Sequence, residues 1–338
     1  MTPPFEAVFV TGATGFIGER LCLALAESGV RVRALARSVG KAQRLVEAGV
    51  ELVMGDVMVP TTYAQAVEDV DVVFHLAGVL KAPWRRSFTE VNAEGPRRVA
   101  ETCAAVAQPP ALVVVSSLAA GGPSPAGIAR DESMPLEPVS KYGRVKLAGE
   151  RAAAALAHQL SIAVLRPPMV FGPGDQSTLG LFRMADLGFV LLPTRRPSRL
   201  SLVHVDDVVS ALMAIGARAR RREAGGVDAY YIGADERPTF EELARRIATA
   251  CGRPQARVIR LPRALTYLAA LVAHGIGRLL DHTAILNLDK YREAVAGDWT
   301  CDPRRLHSEL GWRPGASLDT RLTETVESYR RQGDLKKR

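Results

Sequence analysis

The sequence has few cysteines, and their spacing does not suit a metal site or a disulfide framework. Cys22, Cys103, Cys251 and Cys301 are the four cysteines of the 338-residue chain, and long stretches separate them. Structural zinc sites place their ligands a few residues apart, and disulfide-rich domains carry cysteines densely. We therefore expect a protein without a resident metal, in the reducing environment of the cytoplasm.

Long uncharged apolar runs are also missing. Residues 1–6 have no basic start followed by an apolar stretch, so no secretory signal peptide is expected there. The most apolar segment, 261–280, contains a proline, two arginines and a histidine. A membrane span needs about 20 largely uncharged residues, so this segment predicts a buried or amphipathic helix and no stable membrane insertion. Weak peripheral contact with a membrane surface is the alternative.

Aromatic residues make up only 6% of the chain, although its formal net charge is +8. A nucleic-acid surface combines basic residues with interleaved aromatics. The densest basic run, 218–222, follows a helical pattern, and cations at the C-terminus of a helix complement its dipole. We therefore predict a solvated helix end and no nucleic-acid partner.

A glycine-rich turn is the most informative feature that is present. Residues 11–18 read Thr-Gly-Ala-Thr-Gly-Phe-Ile-Gly and follow an apolar run at 7–10. Gly12 permits a tight turn, Gly15 lets backbone N–H groups approach a phosphate, and Gly18 lets the next helix pack on the strand. The helix N-terminus then faces the negative charge, so the pattern predicts a dinucleotide site.

Apolar runs alternate with amphipathic stretches through the first half of the chain, which predicts an α/β Rossmann fold with a doubly wound parallel sheet. Strands are expected at 7–10, 30–35, 51–54, 71–76, 112–115 and 162–165. After Arg166, prolines and glycines break the pattern. We expect a dinucleotide-binding domain over 1–170 and a smaller mixed α/β substrate lobe over 171–338. About residues 200–217 should return to the first domain, with 201–203 as a strand of its sheet.

Tyr142 and Lys146 form a candidate catalytic pair. They lie four residues apart in a helical stretch over 140–159, so both side chains project from one helix face. Lowering the pKa of a phenol from about 10 by three units needs roughly 4 kcal/mol, which an ammonium and a positively charged nicotinamide supply together. Such a tyrosine exchanges the proton of a carbonyl or carbinol while a hydride moves to or from the cofactor.

Ser117 is the third catalytic candidate. It follows the apolar run 112–115, so its hydroxyl is expected beside the cleft at the carboxyl edge of the sheet. There it would bind the substrate oxygen and hold it for Tyr142. The alternative is that serines simply end strands well, but the glycine turn and the Tyr142/Lys146 pair favour the catalytic interpretation.

Together these motifs resemble, over nearly the whole chain, those of the extended short-chain dehydrogenases/reductases. Besides the glycine turn, Ser116-Ser117 and Tyr142/Lys146, the matching segments are Gly55-Asp56, His75-Leu-Ala-Gly78, Val91-Asn92, Arg166-Pro-Pro-Met-Val-Phe-Gly-Pro-Gly174 and Val203-His-Val-Asp-Asp207.

The resemblance implies roles for individual residues. Asp56 should accept a hydrogen bond from the adenine amino group, and Lys146 should also bind the nicotinamide ribose. Asn92 should hold local structure or a water, and His204 and Asp206 should organise the C-terminal lobe. The other residues implied at the cofactor are Gly12, Thr14, Gly15, Phe16, Ile17, Val57, Leu76, Ala77, Gly78, Tyr142, Pro167 and Val170.

The end of the second strand discriminates between the two nicotinamide cofactors. An NAD site places a carboxylate there, whereas an NADP site needs cations for the 2′-phosphate. Residues 32–38 contain no acid. Arg37 would stack on the adenine and pair with the phosphate, with help from Ser38 or Lys41. We therefore predict NADP(H) rather than NAD(H); the alternative is that Arg37 is an ordinary surface cation.

Departures from the sugar-nucleotide enzymes of this family bear on the substrate. Sugar-nucleotide dehydratases typically place an acidic pair beside the catalytic hydroxyl, but residues 117–120 contain no acid. Sugar-nucleotide epimerases usually carry an aromatic–Asn pair where this chain has Pro167-Pro168. The proline pair and Arg37 are more similar to the branch of dihydroflavonol reductases and 3β-hydroxysteroid dehydrogenases.

We therefore predict an NADP(H)-dependent enzyme that interconverts a ketone and a secondary alcohol on a largely apolar small molecule of the hydroxysteroid, flavonoid or β-keto type. The alternatives are a sugar-nucleotide epimerase or dehydratase, and a non-catalytic NADP-binding regulator or assembly factor. A regulator built on this fold commonly lacks the tyrosine or the lysine, whereas Ser117, Tyr142 and Lys146 are all present here, which argues against a regulator. The resemblance also suggests a homodimer. Candidate substrate contacts are Leu80, Trp84, Ser117, Met169 and Phe182, with core packing as the alternative for each apolar residue.

Overall fold

Strands and helices alternate along the chain as the sequence pattern predicts. The computed structural model describes residues 5–79, 85–192, 197–262, 264, 266, 267, 271 and 288–336. The strands are β1 (Ala7–Thr11), β2 (Arg31–Ala36), β3 (Glu51–Met54), β4 (Val72–His75), β5 (Ala111–Val115), β6 (Ser161–Arg166), β7 (Met169–Phe171), β8 (Phe189–Leu192), β9 (Leu202–His204), β10 (Gly226–Tyr231) and β11 (Arg257–Arg260).

The helices are α1 (Phe16–Glu27), α2 (Gln43–Glu47), α3 (Arg85–Ala104), α4 (Leu118–Gly121), α5 (Lys141–Ala154), α6 (Leu179–Asp186), α7 (Val205–Arg221), α8 (Phe240–Ala250), α9 (Leu288–Val295), α10 (Arg304–Leu310) and α11 (Leu318–Arg331). Short 3₁₀ turns lie at Val39–Lys41, Pro60–Thr62 and Ala64–Val67.

Seven strands form one parallel sheet in the order β3-β2-β1-β4-β5-β6-β10. The direction of strand addition reverses between β1 and β4. In a doubly wound sheet, ligands bind at such a switch point, outside the carboxyl ends of the strands. The predicted α/β fold is therefore confirmed, and the glycine turn after β1 lies at the expected crevice.

The central strands β1, β4 and β5 are almost wholly apolar because helices cover both faces of the sheet. Val8 and Val10 of β1 point into a core that includes residues of α1 and α7. Ala7 and Phe9, which alternate with them, point into a second core on the opposite face, shared with α3 and α5. The period of two along a continuous apolar strand is the pattern of a parallel sheet buried on both sides.

The prediction for residues 201–203 was wrong. β9 pairs in parallel with β7 in a separate two-stranded sheet. The edge beside β6 is occupied by β10, which pairs with all six residues of β6 from Ser161 to Arg166. The elements that return to the main sheet from this part of the chain are therefore α7, which packs on its core, and β10.

A further apolar core joins α6, α8, α11 and the strands β7 to β9. Phe182 is 1% exposed in it, and its ring meets that of Tyr329 edge-on at 5.3 Å between centroids. Each of the four cysteines is a buried free thiol. Within the described ranges no helix has both the length and the apolar character of a transmembrane helix. Most of the segment 261–280 lies outside the described residues.

Because Phe182 fills this core, we expect Phe182→Ala to lower the free energy of unfolding by about 3–5 kcal/mol. Leu187→Ala is the matched control, since Leu187 follows the same helix and is 59% exposed; it should change stability by about 0.5 kcal/mol or less. Chemical denaturation of both variants measures the difference. Equal stability of the two variants would contradict the core assignment.

Candidate active site

The glycine turn between β1 and α1 is packed so closely that side chains are excluded from it. Gly12 has φ +71°, and a Cβ added to it would lie 2.5 Å from the backbone nitrogen of Ala77. A Cβ on Gly18 would lie 2.2 Å from the Gly12 carbonyl oxygen. The Gly15 N–H donates to that carbonyl at 3.0 Å and closes the turn. The turn therefore presents backbone atoms to the crevice at positions without a side chain.

Helix α1 begins at this crevice without a side-chain cap from any described residue. Its first N–H groups are thus directed at the position where a dinucleotide diphosphate would lie. Thr14, Phe16 and Ile17 lie half-buried at this helix start. The arrangement fits the phosphate cradle that the sequence predicts.

A buried hydrogen-bond chain supports the floor of the turn. The Thr11 hydroxyl accepts the Ala77 N–H at 3.4 Å and lies 2.8 Å from Nδ1 of His75. Burial, together with the charge of Lys146, lowers the pKa of His75 to about 3, so its ring is neutral. The chain holds the ends of β1 and β4 together and keeps Leu76 and Ala77 against Gly12. Sequence reasoning quoted His75 in a motif without giving it this role.

A cation and a carboxylate face each other where the adenine ribose is expected. Arg37 follows β2, and its guanidinium lies 4.0 Å from the carboxylate of Asp56, which follows β3. Asp56 also accepts the Met58 N–H at 2.9 Å, and the Val57 carbonyl accepts the Tyr63 hydroxyl at 3.1 Å. The Arg37 side chain is 77% exposed, so it is accessible to a ligand.

The three catalytic candidates meet at the carboxyl end of β5. Ser117 caps α4, and its hydroxyl oxygen accepts the Ala119 N–H at 3.1 Å, which leaves its proton for another acceptor. The ammonium of Lys146 donates to the carbonyl of Val115 at 2.7 Å. Tyr142 lies one turn before Lys146, and its phenol is close enough to Ser117 for that side chain to lower its pKa. The sequence-predicted residues are thus brought together.

Burial dominates the electrostatics of Tyr142 and Lys146. Burial raises the pKa of Tyr142 to about 12; the hydrogen bond with Ser117 lowers it, and the charge of Glu293 raises it. Burial lowers the pKa of Lys146 to about 8, although Glu150 acts against this. Lys146 is turned toward the Val115 carbonyl and does not by itself bring the phenol toward neutral pH. Further positive charge beside Tyr142 is therefore needed before it can ionise there.

A buried ion pair anchors helix α5, which carries Tyr142 and Lys146. Arg166 at the end of β6 binds both carboxylate oxygens of Glu150 on α5, with its closest contact at 2.7 Å. The two side chains are 7% and 6% exposed. The Arg166 guanidinium also lies 5.4 Å from the ring centroid of Tyr231. Sequence reasoning missed this pair, although a charged arginine ending an apolar strand demands a carboxylate partner.

Asn92 and the pair His204/Asp206 have structural positions. The Asn92 amide donates to the Val79 carbonyl at 2.9 Å and accepts the Val79 N–H at 3.2 Å, which holds the loop beside Gly78. Asp206 on α7 binds Arg20 of α1 at 2.6 Å, and its N–H donates to Nδ1 of His204 at 3.3 Å. Asn92 therefore organises a loop, and Asp206 joins α7 to α1.

The remaining predicted residues divide into three groups. Pro167 is buried, and Met169 and Val170 are partly buried in β7, directly after β6. Phe182 is buried in the second-lobe core, and its role as a substrate contact stays a prediction. Leu80 and Trp84 lie outside the described residues.

Comparison with known proteins is consistent with this geometry. A profile described as NAD dependent epimerase/dehydratase family matches residues 8–233. A ceramide reductase of Caulobacter vibrioides is 34% identical over 330 residues, which covers 98% of this chain and 96% of that protein. A 2-alkyl-3-oxoalkanoate reductase of Shewanella oneidensis is 29% identical, covering 81% and 73%. The solved structure of MoeE5 in complex with UDP-glucose and NAD matches with a TM-score of 0.75 at 25% identity, covering 96% of this chain and 99% of that one.

The close packing of the turn predicts different outcomes for two glycines with similar backbone angles. Gly12→Ala combines a positive φ with a backbone clash, so it should weaken dinucleotide binding by about tenfold or more. Gly29→Ala, at φ +81° with nothing within 4 Å, is the control. It should cost roughly 1–2 kcal/mol of stability and leave binding unchanged. Calorimetric titration with dinucleotide measures both, and equal affinities would refute the cradle.

Proposed function

Because the chain belongs to the NAD dependent epimerase/dehydratase family, we propose that it is an NADP(H)-dependent reductase that converts a ketone on a largely apolar molecule to a secondary alcohol. The observation that carries the proposal is the convergence of Ser117, Tyr142 and Lys146 at the carboxyl end of β5, beside the glycine turn. The homodimer and the cytoplasmic location that the sequence suggests stay predictions.

Each of the three residues has a chemical task in this proposal. The Ser117 hydroxyl donates to the substrate carbonyl oxygen and polarises it. Tyr142, whose pKa of about 12 keeps it protonated at neutral pH, donates its proton to the oxygen as the carbonyl is reduced. Lys146 orients the nicotinamide ribose and adds positive charge beside Tyr142. When bound, the dihydronicotinamide supplies the hydride to the carbonyl carbon.

The substrate class is argued from the relatives and from what the site lacks. Two relatives are reductases, one named for ceramide and one for 2-alkyl-3-oxoalkanoates. Residues 117–120 carry no acid that would assist dehydration of a sugar nucleotide. We propose an apolar ketone of the β-keto, hydroxysteroid or flavonoid type. The UDP-glucose of the MoeE5 complex keeps sugar-nucleotide chemistry as the second candidate.

The NADP(H) preference is argued from charge at the end of β2. Arg37 follows this strand, no acid lies in 32–38, and the guanidinium is 77% exposed. A planar guanidinium stacks on adenine and pairs with a 2′-phosphate. The carboxylate of Asp56 lies 4.0 Å from one guanidinium nitrogen of Arg37, so the other donors of Arg37 stay available for the phosphate.

We expect Tyr142→Phe to reduce turnover by a factor on the order of 10² to 10⁴, because the phenol is the proton donor. Its affinity for NADPH should stay within about threefold, since only one hydroxyl is removed. The assay follows NADPH consumption over panels of β-keto acyl compounds, steroids, flavonoids and aldehydes, with UDP-sugars as controls. Unchanged turnover in the variant, or activity on UDP-sugars alone, would overturn the proposal.

We expect Arg37→Asp to weaken NADPH binding about 10- to 100-fold, the value of a hydrogen-bonded charge pair, while NADH affinity holds or rises. Arg31→Asp is the matched control, because Arg31 is exposed at the opposite end of the same strand; it should change neither affinity. Fluorescence titration of each variant with NADPH and with NADH measures the affinities. The same NADPH affinity in Arg37→Asp and in the unaltered protein would refute the assignment.

A further inference from the structure

Helix α9 of the second lobe is attached to the first turn of the catalytic helix. The Asp289 carboxylate accepts the N–H groups of Lys141 at 2.8 Å and Tyr142 at 3.2 Å. The hydroxyl of Ser140 accepts the third N–H, from Gly143, and the Ser140 carbonyl accepts the fourth. The N–H groups of the first three helical residues, which have no partner within the helix, are thus all satisfied. Two of them bind a side chain 148 and 147 residues further along the chain.

The next residue after this cap lies over the catalytic ring. The ammonium of Lys290 is 5.6 Å from the ring centroid of Tyr142. It also binds the Glu293 carboxylate at 2.7 Å, so its position is fixed from the same helix. Glu293 in turn accepts the indole N–H of Trp299 through its backbone carbonyl at 2.8 Å. The capping carboxylate of Asp289, the ammonium of Lys290 and its counter-ion Glu293 therefore form one connected unit on α9.

We propose that Asp289 and Lys290 are positioning residues for Tyr142: the carboxylate fixes the helix turn that carries the phenol, and the ammonium held over the ring favours its ionised form. The consequence for catalysis rests on the proposed function. A cation near an aromatic ring is attracted to its face, and it is attracted more strongly when the ring carries a negative charge.

The charges around Tyr142 give the direction of the effect. The neighbouring residues on α3 and at the start of α4, Phe88 and Ser117, are uncharged. Among the described residues, the charged groups next to it are Lys141 and Lys146 on its own helix, whose ammonium groups lie over Phe88 and on the Val115 carbonyl. From α9 they are Asp289, Lys290 and Glu293. Glu293 acts against ionisation, and Lys290 neutralises it. Loss of Lys290 therefore removes a favourable charge and also exposes an unfavourable one.

The effect is measurable without a substrate. The ionisation of Tyr142 is followed by near-ultraviolet absorbance in the NADP⁺-bound protein, as the difference from Tyr142→Phe at each pH. We expect Lys290→Gln to move this titration upward by roughly half a pH unit or more, the equivalent of a cation–π contact. Lys290→Arg should restore it, and Glu293→Gln should move it downward.

The matched control is Arg151→Gln, which removes the same charge from an exposed side chain in the last turn of α5. An unchanged titration in Lys290→Gln, or an equal shift in Arg151→Gln, would overturn the proposal. Whether the two residues act together is tested by making Lys290→Gln in the Asp289→Ala variant. There Lys290→Gln should shift the Tyr142 titration by less than half of its shift in the otherwise unaltered protein. Equal shifts in both backgrounds would show that they act independently and would also overturn it.

Catalysis provides the second readout. Asp289→Ala should lower kcat by about tenfold while the KM for NADPH stays within about twofold, because it displaces the acid and leaves the dinucleotide cradle intact. A rise in KM with kcat unchanged would contradict a positioning role. A protein that reduces no ketone would refute the proposed function, and the absorbance titration would still decide this inference.

Discussion

Helix α5 carries two charged side chains on its buried face, and the need to pair both determines the active site. An unpaired charge in a protein interior costs several kcal/mol. Lys146 therefore binds the Val115 carbonyl at the end of β5, and Glu150 binds Arg166 at the end of β6. These bonds seat the helix against two neighbouring strand ends. As a result Tyr142, one turn earlier, meets Ser117 at the edge of the sheet.

The glycine turn supplies the other wall of this site by close backbone packing. Gly12 contacts the chain after β4, and the neutral ring of His75 ties that chain to β1 through Thr11. Buried backbone contacts thus hold the crevice at the switch point. Burial keeps the Tyr142 phenol protonated at neutral pH. In the proposed reduction the phenol gives up this proton, and positive charge beside it stabilises the phenolate that remains.

Local patterns carried much of this information in the sequence, and long-range pairings did not. The strand positions and the glycine turn follow from periodicity and glycine spacing, and the predicted fold and family are confirmed.

The strand at 201–203 was wrongly paired, because nothing in the local sequence indicates that β10 takes the edge of the sheet beside β6. The sequence does not separate core packing from substrate contact at Phe182, because an apolar residue suits both; the structure places it in the second-lobe core. The contact from Asp289 to α5 spans 148 residues and left no local signal. The catalytic roles of Ser117, Tyr142 and Lys146 stay predictions.

The most direct test of the central claim follows the hydride itself. The protein is supplied with NADPH that carries deuterium at the transferred position, together with a ketone on which it turns over, and the alcohol is analysed by mass spectrometry and NMR. Net reduction predicts one deuterium on the carbinol carbon of each product molecule, with NADP⁺ formed in equal amount. A converted substrate that carries no deuterium, with the label still in the cofactor, would contradict the account.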